Sequence, residues 1–246
     1  MKKKSMFLCL LIAASLCLSA IAADLSLDDV IKNLQGNQKK IKDMYAETTT
    51  KITSNLRLTT NDKTGPQTIV QKGRLWTKGE DMSKIEMTHP MKQITITNGD
   101  NMKIIDPDSG REVKQNLKKI RQQSGLPDSS KQMSLEKAKD FFNLSIGKKD
   151  GNYVITGVPK KENKFLGKME FYVDSEKWAP VRITMYDGKG KPMSQSTIEY
   201  KKMAGAWVPA RNVSNVTTPM GSMKVEMEFS NIKVNQNIKD SEFKVD

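Results

Sequence analysis

Alternation of apolar and polar residues at every second position is the feature that most constrains the fold of this chain. The clearest example is GSMKVEMEFS, in which Met223, Val225, Met227 and Phe229 alternate with charged and hydroxyl residues. Successive side chains of a β-strand point to opposite faces, so this segment predicts a strand with one dry face and one solvated face. About ten segments from Ala46 onward behave in this way and predict a large antiparallel sheet.

Turn residues between these segments predict hairpin connections. Asn98-Gly99-Asp100 joins KQITIT to NMKIID, and an Asn-Gly pair favours a tight hairpin because both residues tolerate positive φ. Further turns are predicted at Pro107-Asp108-Ser109-Gly110 and at Trp178-Ala179-Pro180. The strands are therefore expected to follow one another as an antiparallel meander.

Helical spacing occurs only at the start and in the middle of the chain. Residues 25–45, LSLDDVIKNLQGNQKKIKDMY, predict one helix capped by Ser26, with Asp28 and Asp29 in its first turn. Residues 116–144 predict two short helices around a loop rich in Ser, Gly and Pro, and Phe142 is placed in the second of them. Together these elements predict an α+β fold in which helices cover the apolar face of the sheet.

The first residues have the three parts of an export signal. Lys2, Lys3 and Lys4 precede an apolar run, and Ala20-Ile21-Ala22 supplies small residues for cleavage near Ala22/Ala23. We therefore expect residues 1–23 to be a signal peptide and residues 24–246 to form a single exported domain. Both cysteines lie in the signal and follow leucine, which argues against a lipid anchor and leaves no thiol for disulfides or metal binding.

The net charge of +13 becomes +10 when the three signal lysines are removed. This balance favours contact with anionic surfaces, such as phospholipid headgroups, lipopolysaccharide or acidic proteins. Nucleic acid is disfavoured by export and by the absence of aromatic residues interleaved with the basic ones. A basic surface that serves only solubility is the alternative.

Motifs for catalysis or metal binding are absent or incomplete. His89 is the only histidine, and a zinc site needs three or four ligands, so we expect His89 to be a turn residue. Ser134-Leu135-Glu136-Lys137 and Lys63-Thr64-Gly65 match two marks of penicillin-recognising enzymes, but in the wrong order. Asp106-Pro107-Asp108 starts like a calcium loop whose glycine comes one place early. The sequence predicts no catalytic residue, no metal site and no cofactor.

Methionine is unusually frequent, with 15 residues in the chain. Several lie on predicted apolar strand faces, where a flexible, polarisable side chain can accept ligands of varied apolar shape. Ordinary core filling is the alternative interpretation, and a copper site formed by Met220, Met223 and Met227 is a weaker one. If the helices cover the sheet loosely, the gap between them becomes a pocket for acyl chains.

Residues 73–107 resemble the strand and hairpin region of LolA-like periplasmic lipoprotein carriers. The segments DGKGKP, AGAWVP and SNIKVNQNIKDSEFKVD are similar to the C-terminal half of outer-membrane lipoprotein-sorting proteins. The matching positions of the first region form the pattern G-x-L-W-x-K followed by M-T-x-P and two further strands: Gly73, Leu75, Trp76, Lys78, Met87, Thr88, Pro90, Ile94, Gly99, Ile104 and Pro107.

The resemblance implies an unclosed β-barrel whose concave apolar face is covered by helices that act as a lid. It implies a monomeric periplasmic carrier, without cofactor, that moves the acyl chains of lipoproteins or related lipids from an inner-membrane donor complex to an outer-membrane acceptor. An alternative is a sensor or accessory protein of the same fold that binds envelope lipids and supports an export or signalling complex. Gly79 and Glu80 stand where family carriers have an Arg-Pro pair that latches the lid.

Combined with strand alternation, the resemblance implies the residues of an acyl-chain cavity and of its lid. The lid residues are Leu117, Ile120, Leu135 and Phe141. The cavity residues are Leu75, Met87, Ile94, Ile96, Met102, Ile104, Met169, Phe171, Val173, Met223, Val225, Met227 and Phe229.

Overall fold

The computed structural model describes residues 25–55, 65–119, 135–162 and 166–246, which contain one sheet of thirteen antiparallel strands. The order across the sheet is β6-β5-β4-β3-β2-β1-β13-β12-β11-β10-β9-β8-β7, so β6 and β7 form two edges that do not pair with each other. The strands are β1 (Asp43–Ser54), β2 (Gln67–Lys78), β3 (Met82–His89), β4 (Gln93–Asn98), β5 (Asn101–Asp106), β6 (Arg111–Asn116), β7 (Phe142–Lys149), β8 (Asn152–Pro159), β9 (Lys168–Asp174), β10 (Ala179–Tyr186), β11 (Pro192–Met203), β12 (Ala206–Thr218) and β13 (Gly221–Val234).

Within the described residues, the sheet is accompanied by α1 (Leu27–Gln38), α2 (Leu135–Phe141) and a 3-10 helix (Asp240–Phe243), and residues 117–119 are also helical. Among the described residues, no helix has the length and apolar character needed to cross a membrane. The predicted signal, residues 1–23, lies outside the described residues. The unclosed antiparallel sheet with few helices confirms the predicted α+β fold class.

The two faces of the sheet are distinguished by what packs on them. Val30, Ile31 and Leu34 of α1 pack against Ile155 and Val173, forming a core cluster without solvent. We call this side the helix face, and the strand registers then assign the other residues to it or to the opposite side. The segment after β13 lies on the opposite side, which we call the tail face.

The C-terminal tail is held on the tail face by a series of polar contacts. Lys78 binds the carbonyl oxygen of Ile238 at 2.7 Å and pairs with Asp240, and Lys84 pairs with Glu242 at 2.8 Å. Phe243, which ends the 3-10 helix, is completely buried. The tail therefore covers the tail face of β2 to β5, where the buried ring of Phe243 is surrounded by charged contacts.

The first helix is shorter than predicted, because residues 43–45 belong to β1 instead. Ser26 and Asp29 form the expected capping box, but the helix ends at Gln38. Asn37 is buried and bonds both backbone groups of Trp207, at 3.0 and 3.1 Å, which anchors the end of the helix to β12. The carboxylate of Asp43 accepts hydrogen bonds from the backbone N–H groups of Gln236 and Asn237, which fixes the start of β1.

Two strands were not predicted, and both are edge strands. β6 has the sequence REVKQN, whose charged residues give no apolar alternation; charge is a common way to protect a sheet edge. β7 begins at Phe142, a residue predicted as helical, because Phe142, Leu144 and Ile146 alternate along the strand directly after α2. The turn predicted at residues 178–180 includes only Trp178, whose φ is +47°, since Ala179 already opens β10.

The G-x-L-W-x-K motif has a physical explanation in β2. Gly73 lies so close to β3 that an added Cβ would be 2.5 Å from the carbonyl oxygen of Glu86. Leu75 packs on the helix face with Met44 and Val234, whereas Trp76 contacts Tyr45 on the tail face with ring centroids 5.2 Å apart. Lys78 holds the C-terminal tail, so the motif connects both faces of the sheet.

Replacing Gly73 by alanine is expected to lower the free energy of unfolding by about 1–3 kcal/mol, because β2 and β3 must separate to admit the methyl group. Gly147, in β7, is the matched control, since an added Cβ there meets nothing within 4 Å. Urea denaturation of both variants measures the difference. Equal stability of the two variants would contradict the close approach of β2 to β3.

Candidate functional site

The strand registers bring eleven of the thirteen predicted cavity residues to the helix face. Across four neighbouring strands, Met227 lies opposite Thr50, Thr50 lies opposite Gln71, and Met87 lies opposite Gly73. Partners in an antiparallel pair share a face, so the assignment follows from the pairing. The residues on this face are Leu75, Met87, Met102, Ile104, Met169, Phe171, Val173, Met223, Val225, Met227 and Phe229.

Much of this face is only half-buried. Helix α1 buries Val173, but Met87, Met223 and Met227 remain partly exposed. Ile69 and Ile85, on the same face of β2 and β3, are 46% and 48% exposed. We call the apolar residues on the helix face of β13, β1, β2, β3 and β5 the apolar surface. An exposed apolar surface of this kind is typical of a site that binds an apolar partner.

A polar row crosses the helix face beside the apolar surface. Ser196 and Ser214, facing each other on β11 and β12, are linked by a 2.7 Å hydrogen bond, and Ser214 donates to Asn212 at 3.2 Å. Asn212 lies opposite Met227 on β13. The helix face therefore presents hydroxyl and amide groups next to apolar side chains.

Ile94 and Ile96 do not belong to the apolar surface, which corrects their predicted position. Ile96 is opposite Lys84 and Ile94 opposite Glu86, and both partners point to the tail face. The turn at residues 90–92 shifts the phase of alternation between β3 and β4, so Gln93 and Thr95 occupy the helix face instead. Ile96 is buried where the 3-10 helix of the tail lies against β4.

The residues predicted to form a lid are described only in part. Leu117 is half-buried and its N–H bonds the carbonyl oxygen of Asp100 at 2.8 Å, whereas Phe141, at the end of α2, is 44% exposed. Ile120 lies outside the described residues, and Leu135 is the first residue of α2. The role of these residues as a lid stays a prediction.

The turn at Gly79 and Glu80 connects β2 to β3. Gly79 has a φ of +61°, in the left-handed region that favours glycine, and its N–H bonds the carbonyl oxygen of Lys42 at 3.0 Å. An arginine at position 79 would be strained in this turn. Gly79 therefore fits the left-handed backbone of this turn, at the position where the resemblance leads us to expect an arginine.

Several solved structures have a similar fold. A DUF1329 family protein from Desulfovibrio piger superposes with a TM-score of 0.59 and 16% identity, over 89% of this chain and 97% of its own. A LolA superfamily protein from Nitrosomonas europaea has a TM-score of 0.57 and 11% identity, and the match covers 89% of this chain and 98% of that protein. A putative outer-membrane lipoprotein-sorting protein domain from Vibrio parahaemolyticus has a TM-score of 0.57 and 15% identity, and the match covers 88% of this chain and 96% of that domain. This chain therefore shares its fold with these three proteins, one of which is named as a LolA superfamily protein.

The sequence comparisons are less informative about this chain. Residues 129–246 match a family model described only as an uncharacterized protein. No curated protein matches the chain. The likeness to the solved structures, at 11–16% identity, therefore concerns the fold, and it confirms the resemblance seen in residues 73–107 at that level.

The single histidine of the sequence lies at a strand end. His89 is the last residue of β3, is exposed, and precedes Pro90 in the connection to β4. Within the described ranges, no three residues of the types His, Cys, Asp and Glu come close enough together to hold a metal ion.

A polar cluster on the tail face was missed by the sequence reasoning. Glu170 accepts hydrogen bonds from Lys168 at 2.8 Å, Tyr186 at 2.8 Å and Tyr172 at 3.1 Å, beside a groove of about 270 Å³ on β7 to β9. Burial alone would raise the pKa of Glu170, but these three hydrogen bonds outweigh it and hold the pKa below its ordinary value. Burial and the Glu170 carboxylate raise the pKa of Tyr186 to about 12. Period-two spacing placed these residues on one face, but no motif singled them out.

Replacing Glu170 by glutamine is expected to lower the free energy of unfolding by about 1–2 kcal/mol at neutral pH, because the amide cannot pair with Lys168. A carboxyl with a lowered folded pKa stabilises the fold above its unfolded pKa, ordinarily 4.5, and this contribution is lost as the pH falls through the folded value. The difference between variant and wild type should therefore vanish in acid. Urea denaturation across pH measures it, with exposed Glu162→Gln as the control; a difference independent of pH would contradict this account.

Proposed function

We propose that this chain is a periplasmic carrier that binds the acyl chains of lipoproteins or related lipids and moves them toward the outer membrane. It would act without catalysis or cofactor, as a monomer formed by residues 24–246 after export. The donor would be an inner-membrane complex and the acceptor an outer-membrane protein. The fold shared with a protein named for lipoprotein sorting supports this proposal.

The observation that carries the proposal is the half-buried apolar surface of the helix face. Its methionines, Met87, Met102, Met223 and Met227, can adjust to acyl chains of different length. Each CH₂ group removed from water contributes about 0.8 kcal/mol, so a lipidated protein needs such a surface to cross an aqueous compartment.

The polar row of Asn212, Ser196 and Ser214 would orient a bound lipid on the apolar surface. In this proposal the acyl chains lie on the apolar surface and their ester groups face the row, where hydroxyl and amide groups can form hydrogen bonds with carbonyl oxygens. Helices that compete with the ligand for the helix face would then act as a lid, with Leu117, Ile120, Leu135 and Phe141 as its apolar residues.

Native mass spectrometry of protein purified from the periplasm tests the proposed function. We expect masses above that of the polypeptide, matching bound lipid or lipoprotein, that disappear after extraction with organic solvent. Only the polypeptide mass, with no lipid recovered in the solvent extract, would refute the carrier role. A bound protein without acyl chains would instead favour a sensor or accessory protein of the same fold.

A further inference from the structure

Three aromatic rings and three lysines lie along one end of the sheet. Lys148 lies 5.1 Å from the ring centre of Tyr153, which stacks on Trp178 with ring centroids 5.8 Å apart. Lys177, which precedes Trp178 in the turn, lies 5.5 Å from the ring centre of Trp207, and Lys202 approaches the same ring at 5.9 Å. We call these six residues the turn row.

The topology explains why these residues meet. The hairpins β7–β8, β9–β10 and β11–β12 all turn at the same end of the sheet, as alternate hairpins of a meander must. The C-terminal end of α1 joins them there, because Asn37 is bonded to the backbone of Trp207. Residues distant in sequence therefore form one continuous surface across three turns.

The charge of this surface is strongly positive. Its carboxylates are Asp150, Asp174 and Glu176, and two of them are engaged, since Asp174 binds Lys177 at 2.6 Å and Asp150 lies 3.7 Å from Arg182. Seven lysines lie in or next to these three turns or at the C-terminal end of α1: Lys39, Lys40, Lys148, Lys149, Lys177, Lys201 and Lys202. Apart from Lys177, they are exposed.

We infer that the turn row docks on an anionic phospholipid bilayer. Tryptophan and tyrosine favour the boundary between water and lipid, where an apolar ring meets a polar environment. Lysines reach anionic headgroups with long apolar stems, and each one near such a surface contributes about 1 kcal/mol. The row contains no arginine, the residue that fits the bidentate carboxylate contacts of an acidic protein partner, so lipid headgroups match it better.

The inference goes beyond the proposed function, because docking of the turns requires no acyl chain on the helix face. A carrier docked in this way would meet the membrane with the strand ends of β7 to β12. Binding to vesicles and binding of acyl chains can therefore fail separately, and each has its own experiment.

Sedimentation with vesicles tests the docking surface. The wild-type chain is expected to bind vesicles containing about one third phosphatidylglycerol, and to bind neutral phosphatidylcholine vesicles much more weakly. The triple variant Lys148→Glu, Lys201→Glu, Lys202→Glu should bind the anionic vesicles about 100-fold less tightly, since each lysine contributes a factor of about five. The control variant Lys160→Glu, Lys189→Glu, Lys191→Glu makes the same change of charge in turns at the opposite end of the sheet and should retain binding within about threefold.

Tryptophan fluorescence distinguishes insertion of the row from diffuse attraction. In the Trp76→Phe variant the remaining tryptophans are Trp178 and Trp207, and lipids brominated on their acyl chains should quench them. Loss of binding in both triple variants, or wild-type binding without quenching, would overturn the inference. Tighter binding to polyglutamate than to anionic vesicles would also overturn it, in favour of an acidic protein partner.

Discussion

Replacing Met227 by glutamate is expected to weaken acyl-chain binding about 100-fold. The change removes an apolar side chain from the apolar surface, beside the polar row, and places a carboxylate where the ligand would exclude water. Met227 is half-buried, so its carboxylate can still reach solvent in the unliganded chain and folding should be preserved. Native mass spectrometry should show the lipid adducts of the wild type and only the bare polypeptide of the variant.

The matched control for this experiment is Asn215→Glu. Asn215 is exposed on the tail face of β12, opposite Lys224 of β13, so the same negative charge is added one strand away but on the other side of the sheet. This variant should keep its lipid. Equal loss of lipid in both variants would mean that net charge, and not the helix face, determines binding.

Replacing Phe243 by alanine is expected to lower the free energy of unfolding by about 3–5 kcal/mol. Phe243 is completely buried where the C-terminal tail crosses β3 and β4, and its truncation would leave a cavity that the charged contacts around it cannot fill. Asn98 bonds the carbonyl oxygen of Phe243 at 3.3 Å, so the loss would also loosen the end of the tail. Urea denaturation followed by circular dichroism measures the change.

Phe141→Ala provides the comparison for Phe243→Ala. Both substitutions remove the same side chain, but Phe141 is 44% exposed at the end of α2 and should cost less than about 1 kcal/mol. If the two variants were equally stable, the tail would contribute nothing to the core of the sheet, contrary to the structure.

Period-two alternation predicted the antiparallel sheet because one face of most strands is apolar. It worked best in β13, where Met223, Val225, Met227 and Phe229 lie on the helix face. It failed in β6, whose exposed edge carries charges instead of an apolar face. Alternation therefore indicates a strand only where one face of that strand carries apolar side chains.

Alternation within a strand does not fix the phase between strands, and this limit explains the error at Ile94 and Ile96. Both residues alternate with polar neighbours along β4, but the turn at residues 90–92 determines which face of the sheet they occupy. The tail that covers them is distant in sequence: Asn98 and Phe243, which are hydrogen-bonded, are 145 residues apart. The contact of the tail with the sheet was not predicted, because one phenylalanine among charged residues looks like a surface segment in sequence. Contacts of this range become visible only in the folded chain.

The turn row is a second feature that local sequence patterns could not predict. Tyr153, Trp178 and Trp207 come from three hairpins, and the sequence predicted only a basic balance without a place for it. Pairing of β7 to β12 brings the rings and lysines together at one end of the sheet. The sequence therefore predicted the positive charge of the protein, but not the surface on which the lysines and aromatic rings come together.

Photo-crosslinking from the helix face is the most direct test of the central claim that this face binds acyl chains. A benzophenone amino acid at position 227, irradiated in the periplasm, should form a covalent bond to a lipid or lipidated protein, and the same amino acid at position 215 should not. The crosslinked mass should contain acyl chains after protease digestion. Crosslinks to acyl chains from position 215 and none from position 227 would contradict the account.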